Sequence, residues 1–109
     1  MSTSIGRNQN ISDEAAISII SINDATSTTL SAANPRRVFF YVSNNSASAE
    51  AWIKLQAASV DNDKKGIFLG KKAEPPRDWT MMQDTPYTGE ISGISESGTH
   101  DVYLTEYIV

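Results

Sequence analysis

Five residues, Val38-Phe39-Phe40-Tyr41-Val42, limit what this chain can become more than any other stretch. β-Branched and aromatic side chains in unbroken succession fit a pleated strand. The flanks fix its ends: Pro35 has no N–H to give a ladder and belongs at a strand's entry, while Ser43-Asn44-Asn45-Ser46 carries the turn-forming side chains that close it. Side chains alternate along a strand, so Val38, Phe40 and Val42 share one face and Arg37, Phe39 and Tyr41 the other. The first set is expected to face the core. The second needs cover as well, from the N-terminal segment, a second layer or another molecule, and Arg37, Phe39 and Tyr41 are accordingly the expected self-association surface.

Further strands follow at regular spacing. Ala15 to Ile22 carries four isoleucines, which favour a pleated surface, although Ser12 ahead of Asp13-Glu14 also fits a helical N-cap for one or two turns. Asn23-Asp24-Ala25 turns into a short strand, Thr26 to Leu30. Beyond the turn after Val42, Ala51, Ile53 and Leu55 alternate with Trp52, Lys54 and Gln56, the period of a half-buried strand. Ala57 to Lys65 reads as a surface loop, Gly66 to Gly70 as a brief strand, and Lys71 to Arg77, with Pro75-Pro76 inside it, as a loop or extended edge. Asp78 to Met82 is a short strand, Gln83 to Pro86 a turn, and Tyr87 to Ser95 a strand interrupted by glycines. After a turn at Glu96 to Thr99, Asp101 to Val109 sets Val102, Leu104, Glu106 and Ile108 against Tyr103, Thr105, Tyr107 and Val109. The expected fold is all-β, a single-domain antiparallel β-sandwich or jelly-roll-like barrel of about eight short strands over residues 13–109. Residues 1–12, polar, small and without a packing face, are the expected extended N-terminal arm.

A chain of 109 residues is one domain with room for its own core. Fourteen serines and nine threonines agree with strands and turns. Cysteine is absent, so the fold relies on no disulfide and no thiolate metal site. A formal charge of -4 argues against phosphate neutralisation, and no nucleic-acid partner is expected. Met1 to Arg7 lacks the apolar run of a signal peptide and no segment approaches the roughly 20 apolar residues of a membrane span. The expectation is a soluble protein made without a secretion signal and with no membrane partner.

Nothing in the chain is spaced for chemistry. The single histidine, His100, sits in a turn beside Asp101, and no serine lies in a nucleophile elbow. Asp61-Asn62-Asp63 resembles the start of a calcium loop, but Lys64 and Lys65 follow at once and the bidentate glutamate is missing. Asp13-Glu14 adjoins the arm, where no dry pocket would shift a carboxyl. No enzyme activity, metal or cofactor is expected. Trp52, Trp79, Tyr87, Tyr103 and Tyr107 admit two readings, core filling or an aromatic platform for sugars or bases, with Trp52, Trp79 or Tyr87 as the contacts in a carbohydrate-binding host-recognition module.

Charge is segregated along the chain. Eight of nine basic residues lie between Arg36 and Arg77, and the six acidic residues after Arg77 have no lysine or arginine among them. Interleaved strands would pair the two sets within one subunit; opposite ends would match one subunit to the next.

Three stretches together carry a resemblance: Ala33-Asn34-Pro35-Arg36-Arg37 with its Ser43-Asn44-Asn45 exit, Lys65-Gly66-Ile67-Phe68-Leu69, and Tyr87 to Ile94 followed by Val102-Tyr103-Leu104-Thr105-Glu106. Over roughly residues 33–107 the chain resembles small structural proteins of tailed bacteriophages, of the kind encoded among head genes. The resemblance implies a virion component made in the host cytoplasm, foremost a capsid decoration or cement protein on the capsid surface, with tail, connector or fibre-base parts as the alternative. It further implies the major capsid protein as partner, a homo-oligomer with a trimer favoured, and shell attachment through the arm, where Ser2, Ile5, Arg7 and Ile11 are the candidate contacts.

Overall fold

A computed structural model describes residues 16–60, 64–81 and 87–109. The expected arm, the alternative helical start at Ser12, the Asp61-Asn62-Asp63 segment and the Gln83 to Pro86 turn lie outside the described residues. Eight strands are present among the described residues: β1 (Ala16–Ile22), β2 (Thr28–Ser31), β3 (Arg37–Asn44), β4 (Ala51–Lys54), β5 (Ile67–Leu69), β6 (Asp78–Met81), β7 (Ile91–Ser95) and β8 (His100–Ile108).

They form two four-stranded antiparallel sheets, in the orders β1-β8-β3-β6 and β2-β7-β4-β5. The pairings β4 with β5, β3 with β6, β2 with β7 and β1 with β8 are those of one long hairpin rolled over on itself, a jelly roll. The expected β-sandwich is therefore the observed fold. Between the sheets, Ile22, Phe40, Val42, Ile53, Ile91 and Val102 are all fully buried. Alternation along β3 and β8 puts Phe40 and Val42 opposite Glu106 and Leu104 on the inner side, which is why one central strand contributes so much of the core.

One part of the expected inner face is corrected. Between Arg37 and Phe39 the register of β3 against β8 slips by one residue, a β-bulge. Past the slip the facing of side chains reverses, so Arg37, paired with Ile108, turns inward and is 1% exposed, while Val38 is left 40% exposed.

Leaving β4, residues 55–60 lie along the outer side of the second sheet as a strap. The Ser92 hydroxyl on β7 donates to the Gln56 carbonyl (3.0 Å), the Ala58 N–H donates to Glu90 Oε2 (3.1 Å), and the Ser59 N–H donates to the Ser27 hydroxyl (2.7 Å). On the same outer side, by its register with Trp52, Ile94 is fully buried. Ser27 is drawn to the strap, so β2 begins at Thr28 rather than at Thr26.

Glu90 anchors the strap. Its carboxyl is held below the ordinary carboxylate range first by the Thr29 hydroxyl (2.7 Å) and then by the Ala58 N–H. A group lowered in the folded state adds stability that is full above its unfolded pKa and is lost as pH falls through the folded value. Glu90→Gln is therefore expected to lower the urea midpoint at neutral pH and to match the parent in strong acid. Equal midpoints at neutral pH would show that the anchor contributes nothing.

Candidate functional site

The outer side of the first sheet has no counterpart of the strap among the described residues. Register fixes its rows. Ile17, Thr105, Tyr41 and Thr80 stand side by side across β1, β8, β3 and β6; Ile19, Tyr103, Ser43 and Asp78 form the next row; Tyr107 and Phe39 form the row on the other side. Ile17 is 73% exposed and Ile19 63%, and Tyr103 and Tyr107 are also exposed. Phe39 and Tyr41 are half-buried among these neighbours.

Contacts within the row system hold the aromatic rings in place. The rings of Phe39 and Tyr107 lie 5.2 Å apart, the Tyr41 hydroxyl donates to Asp78 Oδ2 (3.0 Å), and Asn45 Nδ2 donates to the Tyr103 hydroxyl (3.0 Å). Partial burial pushes the Tyr41 hydroxyl above its ordinary range, and the Asp78 carboxylate beside it adds to the shift. The face is thus a fixed surface of aromatic and branched side chains, with Asp78 and Asp101 at one end. What its described residues offer is chiefly apolar area for burial.

Of the three residues expected to self-associate, the structure keeps Phe39 and Tyr41 on this face and takes Arg37 off it. The bulge carries the guanidinium into the gap between the sheets, where all five of its donors are used. Nε donates to Glu106 Oε2 (2.7 Å), Nη1 to the carbonyls of Tyr87 (3.2 Å) and Gly89 (2.8 Å), and Nη2 to the Ser31 hydroxyl (2.9 Å) and the Ala32 carbonyl (2.8 Å). Arg37 and Glu106 form an ion pair that joins the basic stretch to the acidic one inside the subunit.

The aromatic platform is not assembled. Trp79 pairs in register with Val42 and packs on Phe40 (5.4 Å between centroids), Tyr87 packs against the core with its hydroxyl on the Glu90 carbonyl (2.7 Å), and Trp52 lies on the other sheet's outer side beside Phe68 (5.8 Å). Three rings in three environments offer no common stacking plane. His100 pairs with Ile22, and both of its ring nitrogens are buried without a hydrogen-bond partner. It is a lid on the core end rather than an exposed turn residue. A cleft of about 330 Å³ opens where the strap leaves β4 and rejoins β5, between Ile53, Lys54, Gln56, Lys65 and Ile67. Its lining has no acid and no nucleophile, and both lysines already interact within the chain. Among the described residues no cluster of His, Cys, Asp or Glu has the makings of a metal site. The arm positions Ser2, Ile5, Arg7 and Ile11 lie outside the described residues.

Tyr103 and Tyr107, read as possible platform residues, lie on this face beside Phe39 and Tyr41, while Ile17 and Ile19 are the members of it that sequence reading passes over. Their alternation is visible in the chain, but their side of the sheet is settled only once β1 is paired with β8. No family model, no curated protein and no solved structure matches the chain.

Proposed function

We propose that this protein is a non-enzymatic structural part of a virion, a decoration or cement protein that binds the outside of a phage head and stabilises the shell against the major capsid protein beneath it. One observation carries the reading: part of the second sheet's outer side is covered by the chain's own strap, while on the first the described residues leave Ile17, Ile19, Tyr103 and Tyr107 in solvent. Apolar surface of that kind is favourable to bury, so a face that the described residues leave open is suited to assembly. A jelly roll alone does not decide, because the same topology serves capsid and lectin domains. The scattering of Trp52, Trp79 and Tyr87 weighs against the lectin alternative.

The mechanism is cementing. Each copy adds buried area at a joint, and many copies on one shell act together. The test is co-sedimentation of the full chain with heads of the phage that encodes it, stripped of accessory proteins. Saturable binding that raises the temperature of head rupture is expected. Failure to bind heads, or binding to tails alone, overturns the decoration reading.

A further inference from the structure

The geometry points to a second copy of this chain as an occupant of the bare face, packed sheet to sheet about a twofold axis along the row Ile17, Thr105, Tyr41 and Thr80; the inference rests on the reading of that face as an assembly surface. The axis lies in the plane between the copies and runs across the strands. It sets β8 on β8 in opposite directions, so Thr105 meets its own counterpart.

The residues on this face match themselves under that operation. Along β8 the outward side chains read Tyr103, Thr105, Tyr107, a palindrome about Thr105, so Tyr103 of one copy stands over Tyr107 of the other and the reverse. In the neighbouring strands, Ile17 meets Ile17, Tyr41 meets Tyr41, and Ser43, the small residue, lies over Phe39, the large one. An isologous interface demands such self-complementarity.

Charge selects this axis over the alternative. Asp78 and Asp101 stand at the β6-leading and β8-leading end of the face, with Arg77 beside Asp78. A twofold parallel to the strands would lay those ends on each other, whereas the axis across the strands sends each to the opposite end of its mate, Asp78 to the level of the Phe39 and Tyr107 row and Asp101 one row beyond it.

Area sets the strength. Four strands spaced about 4.8 Å apart and some seven residues long give a flat footprint of about 450 Å² per copy. Side-chain relief raises the accessible area lost by two copies to the order of 1,000–1,500 Å², at the lower end of specific interfaces. The pair is therefore a weak, concentration-dependent dimer, in place of the trimer expected from the resemblance, and many copies crowded on a shell favour it further.

The test uses the absence of cysteine in the full chain. Thr105→Cys places a single thiol on the axis, and Phe68→Cys places one on the outer side of the other sheet. A short bismaleimide is expected to convert most Thr105→Cys chains to covalent dimers at high protein concentration while Phe68→Cys stays monomeric. Light scattering of the unmodified chain, from micromolar to near-millimolar, is expected to show the mass double, and the Tyr103→Asp/Tyr107→Asp variant to remain at monomer mass. A monomer throughout, a trimer, or a dimer in which Thr105→Cys fails to cross-link overturns the inference. A chain that binds heads but never dimerises overturns this inference alone; a dimer that binds no head supports it and overturns the head assignment.

Discussion

Arg37→Met is expected to lower the stability of the fold by about 3–5 kcal/mol, the scale of breaking one side of a buried ion pair. The guanidinium is 1% exposed and gives all five donors to one carboxylate, three backbone carbonyls and one hydroxyl. These acceptors come from β8, from the approach to β7, and from the end of β2, so one side chain ties both sheets at the end where β3 begins. Methionine would occupy similar volume but, among the described residues, leave Glu106 with the Ser31 hydroxyl alone as donor (2.9 Å). Arg37→Lys is expected to rescue little, since an ammonium supplies a point charge where a planar fork is used. Pairing Arg37→Met with Glu106→Leu should restore much of the loss, because removing both partners removes the stranded charge. Urea unfolding of the three variants decides; a single Arg37→Met cost under about 1 kcal/mol would mean that the network is dispensable.

The opposite end of the same strand has its own polar pin, and Asn44→Leu is expected to cost about 3 kcal/mol or more, from several buried groups left unpaired at about 1–3 kcal/mol each. Asn44 is fully buried; its amide donates to the carbonyls of Ala49 (2.8 Å) and Gly70 (3.0 Å), and its oxygen accepts from the Ser46 N–H (3.1 Å). It thereby fastens the β3–β4 turn to the segment leaving β5. Asn44→Asp should be worse at neutral pH, where a buried carboxylate faces two carbonyls. Burial would raise that carboxyl's folded pKa, so stability is regained as pH falls and the group becomes a donor. Melting temperatures across the acid range check both statements, and an Asn44→Asp protein that only loses stability on acidification would refute the second.

These two pins show where local reading of the chain reaches its limit. Phe40 and Val42 are legible as core because alternation alone predicts them. Arg37 is not, because the bulge that turns it inward is a property of its pairing with β8 and leaves no local signature. Tyr87 to Gly89 read as strand, but the Tyr87 and Gly89 carbonyls are taken by Arg37, and β7 begins only at Ile91. On the exposed face of the first sheet Phe39 and Tyr41 are legible in the chain; Ile17 and Ile19 are not, since their side is fixed only by the pairing of β1 with β8. Charge segregation had two readings, and the topology favours the first, because β3 lies between β8 and β6 and meets the acidic stretch on both sides.

The pairing of β1 with β8 also imposes an order in time. Ala16 has Glu106 as its partner, so the first described strand remains without its neighbour until residues 100–108 have joined the sheet. Contacts so distant along the chain make folding slow, on the order of milliseconds to seconds. The rows that bring Ile17, Thr105 and Tyr41 together have no existence before that closure, so any surface built from them appears only once folding is complete.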